Sequence, residues 1–306
     1  MKEYICIDIG GTAIKYGIVS EQGQVLESFE RPSQADRGGP CLVAKVHKIL
    51  AHYLENREKD AEYVGVCIST AGMVDPDRGR IIDAGPTIPA YRGTCWKEIL
   101  GEVTQLPVEV ENDVNCAGLA EAIAGAGRGC SSVLTLTVGT GIGGAFYLRD
   151  QGFEGIYHGF SHAACELGYM DLGGPDRFEA VASTSALCRS VAAAKGEAEE
   201  AWDGRRIFAA AGAGDRDCIQ AIDRMVDLLG RGMANLACIL NPECIVLGGG
   251  IMRQEDYLYP RLRKALDRHL LPSIGGKTRL AMAQNGNQAG MLGAYYHFKY
   301  MQERRG

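Results

Sequence analysis

One plan is written twice in this chain, and it constrains the fold more than any other feature. Residues 7–19 read IDIGGTAIKYGIV: an apolar strand, a glycine turn with a threonine, then a second apolar strand. Residues 136–148, LTVGTGIGGAFYL, repeat it. Strands over 4–9 and from Ala13 to Val19, joined this tightly, form an antiparallel hairpin, because a parallel pair needs a crossover of about a dozen residues. A third strand, Val25 to Phe29, follows the turn at Glu21-Gln22-Gly23. In the second copy the strands are Ser132 to Val138 and Ala145 to Arg149. Repetition of one supersecondary unit in the two halves predicts two similarly built lobes of α/β class. A length of 306 residues is long for a single core and agrees.

The intervening pattern is mixed. Helical spacing over 41–58 (Leu42, Val46, Ile49, Leu50, Tyr53, Leu54) leads to a strand from Tyr63 to Ser69 that ends at Thr70-Ala71-Gly72. The Gly- and Pro-rich segment from Asp75 to Thr94 reads as a long working loop. A short strand, Pro107 to Val110, stops at Glu111-Asn112-Asp113-Val114-Asn115, and a helix follows from Ala117 to Ala126. Helices are predicted over 178–195, 203–211 and 215–239. A buried strand, Cys244 to Leu247, closes at Gly248-Gly249-Gly250, and helices near 255–270 and 287–302 complete the chain.

Composition excludes several functions. A net charge of −6 offers no basic surface for nucleic acid. The eleven cysteines include no Cys-x-x-Cys pair and sit in apolar runs such as Ile5-Cys6-Ile7, so they read as small buried hydrophobes rather than a disulfide framework. Asp8 interrupts the first apolar run, which leaves no secretory h-region. No apolar stretch approaches the roughly 18 residues that span a bilayer. A reduced, cytoplasmic protein without a membrane partner is expected.

Glycine turns present backbone N–H groups without side-chain cover, the arrangement that cradles phosphate oxygens. Thr12 and Thr140 add hydroxyls, and Lys15 a nearby positive charge. Gly139, Gly141 and Gly144 also satisfy G-x-G-x-x-G, but that dinucleotide fingerprint must open a helix, and here another strand follows. A plain hairpin explains one such turn equally well. Two turns of one design, with Gly248 to Gly250 after a third buried strand, fit one nucleotide shared between two lobes. Asp113 then has a job, because carboxyl ends of strands face ligand crevices in α/β proteins. Capping of the next helix by Asn112, Asp113 or Asn115 is the alternative reading of that cluster. Phosphoryl transfer needs an acceptor hydroxyl, a carboxylate to take its proton, and donors with Mg²⁺ around the phosphates. An ordinary carboxylate with a pKa near 4 is ionised at neutral pH, so no shift is required of Asp113.

These residues resemble the ROK family of sugar kinases and sugar-responsive repressors, within the actin/hexokinase ATPase superfamily. The resemblance rests on Asp8-Ile9-Gly10-Gly11-Thr12, Glu111-Asn112-Asp113, Thr137 to Gly144, Glu166-x-Gly168 and Leu247 to Ile251, in the family's order. It implies a two-lobed actin-like, ribonuclease H-like fold with a mixed sheet in each lobe. Residues 1–115 with 286–306 would form the smaller lobe and 116–285 the larger, with the active site in the cleft between them. ATP would lie against Gly10, Gly11, Thr12, Lys15, Gly139, Thr140, Gly141, Gly248, Gly249 and Gly250. Asp8 would hold Mg²⁺ directly or through water, and Asp113 would be the general base for a sugar hydroxyl, usually O6. Asn112, Glu166, Gly72 and Glu179 would bind the sugar. The resemblance also implies a homodimer.

Zinc-containing members carry a histidine after Glu-x-Gly and cysteines beyond it. Here Tyr169 stands at that position, and Met170 to Pro175 contain no cysteine, so no structural zinc is expected. The Glu-x-Gly-Tyr-Met version, with Asn287-Gln288-Ala289-Gly290, looks most like the zinc-free β-glucoside kinases. His158 and His162 read as sugar contacts or solvated loop residues, Tyr91 and Trp96 as stacking or packing groups, Asp75 as a sugar contact or turn residue, and Cys165 as packing. A sugar-responsive regulator is the competing class. It would carry a DNA-binding helix-turn-helix ahead of the first glycine turn, where only Met1 to Ile7 precede Asp8. An actin-like filament ATPase would not need Asn112, Asp113 or Glu166.

Overall fold

The computed structural model describes residues 1–56 and 60–305. In chain order the elements are β1 (Lys2–Ile9), β2 (Ala13–Ser20), β3 (Val25–Pro32), α1 (Gly39–Glu55), β4 (Glu62–Thr70), β5 (Met73–Asp75), β6 (Arg80–Asp83), α2 (Trp96–Thr104), β7 (Val108–Asn112) and α3 (Asp113–Ala124). There follow β8 (Ser132–Val138), β9 (Ile142–Asp150), β10 (Phe153–Ile156), α4 (Phe178–Ala182), α5 (Thr184–Lys195), α6 (Gly204–Gly212), α7 (Arg216–Leu240), β11 (Cys244–Gly248), α8 (Glu255–His269), α9 (Pro272–Gly275), β12 (Arg279–Met282) and α10 (Ala289–Arg305).

The repeated plan builds two five-stranded sheets of one order, β3-β2-β1-β4-β7 and β10-β9-β8-β11-β12. In each, the glycine-turn hairpin is antiparallel (β1 with β2, β8 with β9) and the next two strands are parallel to its first strand. Both sheets are therefore mixed, and the fold is α/β.

Contacts divide the chain into two compact units. One comprises Met1–Ala120, Gly155–Ala164 and Asn287–Gly306; the other comprises Glu121–Glu154 and Cys165–Gly286. The sequence-based partition put all of 116–285 in one lobe, whereas this division assigns 116–120 and 155–164 to the first unit and 286 to the second.

The first unit has a core on each sheet face, as period-two alternation of strand side chains demands. Ile5, Ile7, Ile9, Ile68 and Val110 pack with Leu42, Val46 and Leu50 of α1 and with Trp96 and Leu100 of α2. Tyr4, Cys6 and Cys67 point to the other face and pack with Cys116 of α3 and Met291, Tyr295 and Phe298 of α10. Burying each large apolar side chain is worth about 1.5–3 kcal/mol, so two helical layers on one sheet are a sufficient drive. α10 approaches α3 so closely that a Cβ on Gly293 would overlap the Cys116 carbonyl. In the second unit Leu134, Leu136, Ile245 and Leu247 pack with Leu229 and Met233 of α7 and Leu262 and Leu266 of α8.

Some expectations change. The helix predicted over 178–195 breaks at Ser183, whose extended backbone (φ −76°, ψ 169°) lets its hydroxyl accept the Ala186 N–H at 3.1 Å and cap α5. β9 begins at Ile142 rather than Ala145, so Gly144 is a strand residue; a Cβ there would overlap Leu167. The loop over 75–94 contains the β5–β6 hairpin. β7 runs on to Asn112, and α1 is described to Glu55; positions 57 and 58 of the predicted helix lie outside the described residues.

Candidate active site

β1, β4 and β7 are parallel, so their carboxyl ends share one edge of the first sheet: Asp8 pairs in register with Ser69, Ser69 with Glu111, and Thr70 with Asn112. Ligand crevices in α/β proteins open at such an edge. The Asp8 carboxylate accepts the Ser69 hydroxyl at 2.6 Å, and Lys15 faces it in register across the hairpin. Burial raises the Asp8 pKa, while Ser69 and Lys15 pull it back. Behind it stands the first turn of α10, where a Cβ on Gly290 would overlap the carboxyl group; that end of a helix favours an anion. In the adjoining turn the Gly10 N–H bonds to the Ala13 carbonyl at 2.9 Å, and Gly11 and Thr12 are exposed.

Asn112 caps α3. Its Oδ1 accepts the N–H groups of Val114 (2.9 Å) and Asn115 (3.0 Å), and its amide donates to the Gly72 carbonyl (2.8 Å) and to Asp113 Oδ1 (3.1 Å). All four of its hydrogen-bonding positions are thus engaged. The Val114 N–H also reaches Asp113 Oδ1, at 2.9 Å. Capping and alignment of Asp113 are therefore one arrangement. Burial, then the neighbouring charge of Asp8, push the Asp113 carboxyl up to about 6, against three hydrogen bonds that lower it. This corrects the expectation of an ordinary pKa: the carboxylate stands on a partly buried edge beside a second one.

Sequence reasoning missed Glu111. Burial would raise its carboxyl, but His158 and His297 face it and bring it down to about 2. Its oxygen lies 2.5 Å from His158 Nε2, so His158 is not a solvated loop residue. His162 lies 3.9 Å from Asp75, which itself accepts the N–H groups of Asp77 and Arg78 in a turn. Tyr91 and Trp96 are fully buried, with the indole N–H donating to the Tyr91 hydroxyl at 2.9 Å and that hydroxyl 2.5 Å from Thr70 Oγ1; they pack under the loop. Gly72 has φ +100°, a backbone only glycine adopts readily.

In the second unit the second and third glycine turns meet. Gly249, at φ +110°, lies so close to the Val138 main chain that a Cβ would overlap it, and the Gly139 carbonyl accepts the Thr184 N–H at 2.9 Å. Two hollows flank Thr184. One, of about 360 Å³, is lined by Asp203, Arg205, Phe208, Gly250, Ile251 and Arg253; the other, of about 370 Å³, by Gly139, Thr140, Ser185, Cys188 and Trp202. Among these lining residues only the glycines and Thr140 were legible as candidates, because the rest lie on helices without a motif. Glu179, in the first turn of α4, accepts the Ile142 N–H at 3.4 Å and stands against Gly141 and Gly168. Burial, then the charge of Glu179, raise the Glu166 pKa. Cys165 has φ +64° and is packed against the core of this unit. Tyr169 is half exposed, with the Arg177 guanidinium 4.5 Å over its ring.

Among the described residues no three His, Cys, Asp or Glu side chains converge as a metal-binding group, and no helix is long and apolar enough to cross a membrane. Mg²⁺ in phosphoryl transfer is held by one or two carboxylates with phosphate oxygens and water. Asp8 fits that pattern as a single protein ligand, since its charge also raises the Asp113 pKa and a cation beside it would relieve both carboxylates.

A family model described as ROK family matches residues 4–300. The chain is 33% identical to a β-glucoside kinase of Klebsiella pneumoniae, over 96% of this chain and 95% of that protein. It is 30% identical to a glucokinase of Halalkalibacterium halodurans, over 95% and 93%. The structure of a ROK family glucokinase from Streptomyces griseus, in complex with glucose and AMPPNP, superposes with a TM-score of 0.79 at 28% identity, covering 95% of this chain and 97% of that one. With the family model spanning nearly all of its length, this chain belongs to the ROK family.

Proposed function

We propose that this chain, an ATP-dependent carbohydrate kinase, phosphorylates a sugar hydroxyl, O6 of a hexose or β-glucoside, with Asp113 as the general base. The observation that carries the reading is the Asp113 carboxylate at the carboxyl end of β7, aligned by Asn112 and the Val114 N–H. A pKa near 6 suits a base that must be ionised at neutral pH and still accept a proton as the hydroxyl attacks. Bound Mg²⁺, with Asp8 as its protein ligand, would offset charge on the transferring phosphoryl group. The hollows beside Gly139, Thr140 and Gly250 support nucleotide binding in the second unit. Glu166, with its raised pKa, and Glu179 are assigned to sugar hydroxyls. Asn112 contributes by orienting Asp113, and contacts sugar by exchanging its bond to Gly72. A β-glucoside is favoured because Tyr169 replaces the histidine of zinc-containing members and stays half exposed.

Coupled ADP release tests this with glucose, N-acetylmannosamine, cellobiose and gentiobiose. Sugar-dependent release is expected, and Asp113→Asn should retain the fold while kcat drops by at least about 1000-fold. Sugar-independent release would point to a filament-type ATPase, and none at all to a sugar sensor. Substantial turnover by the Asn variant would remove Asp113 from its role.

A further inference from the structure

β7 ends in Glu111 and Asn112 and α3 opens on Asp113, and the reaction above uses only Asn112 and Asp113. Glu111 is fully buried, and both its oxygens are engaged. Oε1 accepts the Asn112 main-chain N–H at 2.7 Å and the Asn115 side-chain amide at 3.1 Å. Oε2 lies 2.5 Å from His158 Nε2 and 3.5 Å from His297 Nδ1. A buried ion pair is weak evidence of stabilisation, since desolvation offsets much of its attraction. The Oε1 contacts need only an acceptor, which glutamine would supply. What requires a carboxylate is the grip on His158. That histidine tethers Gly155–Ala164, a segment whose backbone bends through left-handed residues at Gly159 (φ +67°) and His162 (φ +55°) and whose Phe160 is fully exposed.

We propose that Glu111 and His158 form a charged clamp that positions the Asn112–Asp113 couple against the acceptor sugar. The inference rests on Asp113 being the base. Glu111 fixes the Asn112 N–H and Asn115, hence the first turn of α3, and that turn sets Asp113 Oδ1 through the Val114 N–H. His158 fixes Glu111 in turn. Both are positioning residues.

The groups facing His158 are Glu111 from β7, His297 and Arg304 from α10, Asp77 from the β5–β6 turn and His162 from its own segment. Burial would lower its pKa, but the charge and hydrogen bond of Glu111, with the charge of Asp77, together outweigh it and the net direction is up. Burial lowers the pKa of His297, against the charge of Glu111. The 2.5 Å contact and the raised His158 pKa favour the ion pair, and the clamp weakens as pH rises through that pKa.

The test is steady-state kinetics of His158→Gln and Glu111→Gln beside Asp113→Asn, from pH 6 to 9, with melting temperatures recorded for each. His158→Gln should lower kcat about 10- to 100-fold, leave the KM for ATP within about twofold, and remove the alkaline decline in kcat/KM for sugar. Glu111→Gln should match it, and the double variant should be no worse than either single one. A lowered melting temperature with wild-type kcat and pH profile would make the pair structural only and overturn the clamp, whereas an inactive Asp113→Asn would leave the base assignment standing. An active Asp113→Asn would overturn both.

Discussion

In the role proposed for it, Asp113 would serve chemistry at the expense of stability. Its folded pKa of about 6 lies above the ordinary 3.8, so the folded state holds the proton more tightly than the unfolded chain. Stability from this group is therefore full below about pH 4 and declines as pH rises towards 6. Above that the ionised carboxylate costs at most about 3 kcal/mol, less in practice because the residue keeps some contact with water. Urea melts of metal-free protein should show Asp113→Asn more stable than wild type at pH 7.5 and equal to it near pH 4. Glu111 runs the other way: held down to about 2, it stabilises above pH 4.5 and loses that contribution as pH falls towards 2. Of these two carboxylates only Asp113 was legible as a candidate, because the carboxyl end of a strand in an α/β chain faces a ligand crevice even where its side chains also cap a helix. Val-Glu-Val-Glu reads as a strand with one wet face. The partners that make the second face dry lie far away in sequence, His158 being 47 residues on.

Among the elements, β7 and α10 make the same point in energetic terms. Glu109, also fully buried, is ion-paired with Lys97 at 2.7 Å and accepts hydrogen bonds from Gln302 at 2.7 Å and Arg305 at 2.5 Å, so α2 and α10 are pinned to the strand largely by charge. Glu109→Ala removes the charge partner of the largely buried Lys97, which keeps the Pro76 and Asp77 carbonyls, and should cost about 3 kcal/mol in urea unfolding. Gly249 is the matching test in the second unit. Alanine there would need a left-handed backbone and would push β11's turn off Val138, so the ATP KM should rise by at least about tenfold with the melting temperature falling by only a few degrees. The hairpins were legible because they are local: strand, glycine turn and strand lie within one window. β10 and β12, four residues each, were not, since so short a run carries no period, and the Ser183 break is hidden inside an Ala-rich stretch that suits helix throughout.

For the whole molecule, the repeat announced two sheets, and the common strand order follows from it. The assignment of Gly155–Ala164 to the first unit was not legible, because His158 finds Glu111 only in the folded chain. α10 belongs to the first unit although it comes from the other end of the sequence, and it covers the sheet face bearing Tyr4, Cys6 and Cys67. A chain ending at residue 286 should therefore bind a hydrophobic dye and aggregate, as monitored by light scattering; a soluble, dye-silent product would contradict that packing. The same arrangement bears on biosynthesis. At 5–20 residues per second, β7 completes the first sheet roughly 10 to 35 s before α10 leaves the ribosome, so the nascent apolar face bearing Tyr4, Cys6 and Cys67 waits without that cover and is a natural client for chaperones.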